Sequence, residues 1–135
     1  MNTNNQYLLL FSSNEWYNQL SPAQIQTVIE RSKAWFDELA ASGKVKTGQA
    51  LAREGATISG KTGRVICDGP FAESKEAIGG YLLMEAGSLE EAIAIAKRSP
   101  TLLHGTTVEV RPISDECPLH TRARQFASGA QLAAA

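Results

Sequence analysis

The chain has 135 residues, with 13 Lys+Arg against 14 Asp+Glu for a formal net charge of −1, and 43% of it is apolar. That length and apolar fraction suit one domain with one core, and the charge balance leaves no overall electrostatic footprint for nucleic acid or an anionic membrane, a local basic patch aside. No apolar run approaches the ~18–20 residues of a bilayer span, the segment Met1 to Gln6 lacks the basic and long apolar parts of an export signal, and two cysteines, Cys67 and Cys117, lying far apart do not make a disulfide-framework protein, so a cytoplasmic, reducing-compartment protein is expected.

Tyr7-Leu8-Leu9-Leu10-Phe11 is a short apolar run with polar flanks, as expected of a central strand covered on both faces. Ser12 to Leu20 connects it to a helix and carries Trp16 and Tyr17, which should fold back over the edge of the core. Ser21-Pro22-Ala23-Gln24 is a helix start: Ser21 caps, Pro22 suits the first turn and Gln24 completes a capping box. Ile25, Val28, Ile29, Trp35, Phe36 and Leu39 then recur close to the helical period, and Gly43 closes the helix.

Val45 to Leu51 reads as a strand in which Gly48 points to a bulge or a close backbone contact. Ala56 to Ser59 and Arg64 to Cys67 read as the arms of a hairpin about Gly60-Lys61-Thr62-Gly63. Tyr81 to Ala86 is a second strongly apolar strand. Ser88-Leu89-Glu90-Glu91 is another capping box, opening a helix that buries Leu89, Ala92, Ile93, Ile95 and Ala96; Lys97 and Arg98 lie at its dipole-favoured end and Pro100 stops it. Thr107-Val108-Glu109-Val110-Arg111, ended by Pro112, fits an edge strand. The tail 114–135, rich in alanine towards its end, is weakly helical or mobile, which leaves 1–113 as the domain.

This order implies an α+β ferredoxin-like sandwich with an extra β-hairpin, both helices lying on one face of the sheet. Strands apolar throughout cannot leave the other face in water. A second copy of the same sheet would cover it, so a face-to-face homodimer is expected.

Asp68-Gly69-Pro70-Phe71-Ala72-Glu73-Ser74-Lys75-Glu76-Ala77-Ile78-Gly79-Gly80-Tyr81 combines restricted and permissive backbone with four ionisable side chains between two strands. Phe71 can anchor the loop inward, and Glu73 to Ile78 holds enough helix formers for one or two turns. Asp68 or Glu73 could carry a proton and Lys75 could hold an anion. A loop that only steers the chain, with Asp68 as a cap and Lys75 in an ion pair, would carry the same residues.

The stretch resembles the signature of the YCII-related family, in particular its DGPF-domain branch. The match runs through Asp68-Gly69-Pro70-Phe71, Glu73, Lys75-Glu76, Gly79-Gly80 and Tyr81, and extends to Tyr7-Leu8-Leu9, Leu20-Ser21-Pro22, the helix Ser88 to Ala96, Pro100 and Glu109-Val110-Arg111-Pro112. Ser74 stands where many relatives have Thr. The resemblance covers roughly residues 6 to 113 and implies a dimeric α/β-barrel built from ferredoxin-like protomers, although fold likeness does not transfer chemistry. The convergence of ionisable groups on one strand-end loop suggests a cofactor-free small-molecule enzyme with Asp68 as general acid or base, Glu73 as its partner, Lys75 and Arg111 as anion anchors, Tyr81 as a hydrogen-bond donor and Phe71 beside the ligand. The alternative is a non-catalytic ligand-binding or regulatory protein, linked through family labels to transcription initiation or a sigma factor.

Other motifs read blandly. Cys117-Pro118-Leu119-His120 offers two metal ligands where a zinc site needs three or four, so no metal is expected. Gly60-Lys61-Thr62-Gly63 lacks the upstream glycine and following helix of a phosphate loop. Cys67 reads as a small buried residue, and His104 as a loop histidine, solvated or hydrogen-bonded, that is still able to carry a proton.

Overall fold

The structure, a computed structural model, describes residues 2–68 and 77–127, with the backbone alone for 65–68. Among the described residues, six strands, β1 (Gln6–Ser13), β2 (Val45–Ala50), β3 (Ala56–Ser59), β4 (Val65–Asp68), β5 (Ala77–Glu85) and β6 (Thr107–Pro112), accompany three α-helices, α1 (Pro22–Ala41), α2 (Leu89–Ala96) and α3 (Pro118–Ala127). Short 3-10 turns cover Trp16–Gln19 and Pro100–His104. The chain is an α+β protein with a four-stranded antiparallel sheet ordered β2-β5-β1-β6, and β3 and β4 pair separately.

The apolar runs occupy the two central strands, as their composition requires, and β6 takes an edge. Alternation sorts the side chains by face. Tyr7 lies opposite Met84 and Leu9 opposite Leu82, and these pack with Trp35 and Leu39 of α1 and with Ala92, Ile95 and Ala96 of α2. Both helices therefore cover one face. Leu8 pairs with Leu83 and Leu10 with Tyr81 on the other, where they stay half-buried between the ion pairs Lys46–Glu85 and Arg111–Glu109.

Helix α1 starts as its sequence dictates. Ser21 Oγ accepts from the Gln24 N–H at 3.2 Å, and the Gln24 side chain accepts from the Ser21 N–H at 2.8 Å. Gly43 follows the helix with a left-handed φ of 73°. The expected buried stripe is only half realised. Trp35 and Leu39 are buried, whereas Ile25 and Val28 are half-buried and Ile29 is 53% exposed. The N-terminal half of the helix is not seated on the sheet.

At α2, Ser88 Oγ accepts from the Glu91 N–H at 3.1 Å, but the Glu91 carboxylate does not return to Ser88. It accepts instead from the Gly87 N–H at 3.1 Å and from Lys44 Nζ at 2.6 Å, a contact that ties the α1–β2 connection to α2 and holds its carboxyl below the usual range. Arg98, just past the end of α2, donates to the Glu38 carboxylate of α1 at 2.8 and 2.9 Å.

Strand β5 starts at Ala77, ahead of the sequence expectation. Ile78 pairs with Ser12 and Gly80 with Phe11, and the Leu51 N–H donates to the Gly79 carbonyl at 2.8 Å. Partners on both sides draw Ala77 and Ile78 into the sheet, against their local helical tendency. The rest of the expected turn, 73–76, lies outside the described residues. In the tail, α3 forms from Pro118 and stays largely exposed, with Leu119 at 73% and Phe126 at 56%. No helix among the described residues is long and apolar enough to cross a membrane.

Candidate functional site

A cavity of about 530 Å³ opens between α1 and the end of the sheet where β1 and β2 finish and β5 begins. Its cause is the composition of the sheet beneath it. On the helix side, Ala50 lies opposite Gly80, and Gly48 lies opposite Leu82. Three small residues thus floor the space where ordinary strand residues would fill it. Two of them also allow close strand approach: a Cβ on Gly48 would meet the Tyr81 carbonyl at 2.8 Å, and one on Gly80 the Gln49 carbonyl at 3.0 Å. Gly48 makes the close contact its position suggested, while the irregularity of β2 lies between Val45 and Thr47.

Aromatic side chains make the walls. Both tryptophans line the cavity, with Phe11, Phe36 and Tyr17. Phe11 meets Trp35 edge-on at 6.3 Å, and Trp35 meets Phe36 at 5.1 Å. Trp16 packs edge-on to Tyr17 at 5.7 Å, so the connection after β1 does fold back over the core edge. On its other side Trp16 stacks on His104, centroids 5.0 Å apart and planes 16° apart. His104 is thus neither bare nor simply solvated; it backs the aromatic wall and borders a smaller cleft of about 180 Å³ beside Arg31.

The polar groups facing this space are mostly neutral. Ser99 and Thr106, the buried polar residues of the described chain, lie in its wall, and Ser99 shares a hydroxyl contact of 3.1 Å with Thr101. The Trp35 indole N–H is buried without a hydrogen-bond partner among the described residues. Arg53, after β2, is the one charged residue among the described lining, and its Nε lies 2.9 Å from Glu15 Oε1. An apolar, concave, aromatic site with a few hydrogen-bonding groups is the usual form of a small-molecule pocket.

The expected site residues distribute unevenly. Asp68 ends β4, opposite Ala56; Phe71, Glu73 and Lys75 lie outside the described residues. Tyr81 reaches the cavity floor by its main chain, since the alternation of β5 turns its side chain to the opposite face beside Leu10. Arg111 shares that opposite face, 68% exposed and 3.8 Å from Glu109. The structure therefore does not bring the Tyr81 and Arg111 side chains to the helix-side cavity. Cys117 is exposed, and no cluster of three or more metal-ligating side chains gathers among the described residues. Asp115 has a lowered pKa because it accepts from the Thr3 N–H, a contact that ties the chain start to the base of the tail.

Arg53, Glu15 and Ala50 went unnoticed in the sequence. Arg53 sits in an unpatterned connection and its partner is far away in the chain; small residues in a strand announce a cavity only once their cross-strand neighbours are known.

The fold and cavity define an α+β domain with an aromatic-walled cavity under its first helix. A model of the YCII-related domain matches residues 7–116, and the chain belongs to that family. A 61-residue stretch is 38% identical to an uncharacterized protein of Rhizobium meliloti (strain 1021), covering 44% of this chain and 49% of that protein, so the match spans about half the length of that curated relative. Among solved structures, the chain is similar to the 5-chloro-2-hydroxyhydroquinone dehydrochlorinase from Burkholderia phenoliruptrix AC1100, in complex with 2,5-dihydroxybenzoquinone, with a TM-score of 0.42 and 19% identity over 82% of this chain and 95% of that one.

Proposed function

We propose that this protein binds a small aromatic molecule between α1 and the sheet and acts on it by cofactor-free acid–base chemistry. The observation that carries the reading is the cavity of about 530 Å³, walled by five aromatic side chains and floored by Gly48, Ala50 and Gly80. Its edge includes Ala77 and Gly79, which directly follow the segment holding Glu73 and Lys75 in the chain. In this reading Asp68 and Glu73 are the acid–base pair, with Lys75 and Phe71 completing the ligand's surroundings. A carboxylate in such a setting removes a proton from an activated C–H or O–H and returns it elsewhere.

The protomer is read as ferredoxin-like, because strands in the order β2-β5-β1-β6 with α1 and α2 on one face follow that pattern. We assign the open face, with Leu8, Leu10, Tyr81 and Leu83 at its centre, to a second copy of the chain; Tyr81 and Arg111 would then lie within or beside the dimer contact.

Deuterium exchange into 2-tetralone in D2O tests the catalytic part. A general base would remove the α-proton of this bicyclic ketone and return deuterium. Exchange above the buffer rate is expected, slowed on the order of 100-fold in Asp68→Asn with ketone binding retained. Binding without enhanced exchange would leave a ligand-binding protein and contradict the enzymatic role.

A further inference from the structure

We propose that the molecule taken up by this cavity carries one carboxylate, received by Arg53 at the mouth; the inference rests on the cavity being a small-molecule site. Arg53 is the one charged residue among the described lining, and no described carboxylate faces the same space. Glu15, its partner, lies outside the lining, and the closest contact between the two is Nε to Oε1 at 2.9 Å. The terminal nitrogens of the guanidinium donate no hydrogen bond to a described residue. They are the pair of donors that binds a carboxylate side by side.

The local backbone fixes this geometry. Glu15 holds a left-handed φ of 63°, uncommon for a residue with a side chain. It is pinned from both ends: its carbonyl accepts from the Asn18 N–H at 3.0 Å, Oε1 meets Arg53, and Oε2 accepts from the Asn18 side chain at 3.3 Å. Glu15 precedes Trp16 and Tyr17 in the wall. The ion pair therefore ties the aromatic turn to the β2–β3 connection beside the cavity. An entering carboxylate faces a cation and one competing anion.

Matched probes test this. 1-Naphthoate carries the anion and 1-naphthamide is its neutral counterpart. Because both tryptophans line the cavity, their fluorescence reports occupancy. Naphthoate should bind about tenfold or more tightly than naphthamide. Arg53→Gln should erase the difference, and naphthamide binding that persists shows that the variant is folded. Glu15→Gln should tighten naphthoate a few-fold by removing the competing charge. Equal affinity for the two probes in the unaltered protein, or a preference that survives Arg53→Gln, overturns the assignment while leaving the cavity as a small-molecule site. If neither probe binds, the cavity reading itself fails, and this inference with it.

Discussion

Three residues with almost no side chain do as much for the site as its aromatic walls. Gly48, Ala50 and Gly80 sit on the helix side of the sheet, where neighbouring positions carry Leu9, Leu82 and Met84. Space follows from what is missing. Ala50 is the informative position, since it has a Cβ already and is exposed, whereas Gly48 and Gly80 have a carbonyl against the place where a Cβ would go. Ala50→Leu should fill the cavity floor without strain. Binding of 1-naphthamide should weaken at least tenfold, while thermal unfolding shifts stability by no more than about 0.5 kcal/mol, the usual range for a benign surface change. Undiminished binding in a folded Ala50→Leu variant would place the ligand elsewhere.

Secondary elements show how far local rules reach. The capping box at Ser21 needs only Ser21 and Gln24, both local, and it forms as the sequence predicts. The similar pattern at Ser88 forms by half, because Lys44, distant in the chain, claims the Glu91 carboxylate. Strand β5 shows the same limit: Ala77 and Ile78 favour a helix locally, yet Ser12 and Ser13 on β1 recruit them as strand. Central strands were legible because uniform apolar character has one meaning at that length, and the edge placement of β6 because alternation and Pro112 have one meaning too. The stripe of α1 was legible as amphipathic, but its incomplete seating depends on the small residues of two strands that the helix pattern does not contain. Of the proposed site, the motif around Asp68 to Tyr81 was visible and the cavity was not. Arg53 and Glu15 come together only through the turn at Trp16.

The whole molecule has one face closed by helices and one face of half-buried leucines fenced by ion pairs. Leu8, Leu10 and Leu83 lie together across β1 and β5, and the proposed homodimer would bury them about its two-fold axis. Sedimentation at micromolar concentration should report twice the chain mass of 14.5 kDa, and Leu83→Glu should return single chains with the cavity intact. A single-chain mass for the unaltered protein would contradict the homodimer. The cavity is the larger claim, and it can be watched directly. With two tryptophans in the chain, an amide-correlation NMR spectrum contains two indole N–H signals, and both belong to the cavity wall. Titration with 1-naphthol should move both signals, the unpartnered Trp35 N–H most, and leave the amides of Leu8 and Leu83 in place. Indole signals that stay still at saturating naphthol, or shifts confined to the open face of the sheet, would contradict a binding site beneath α1.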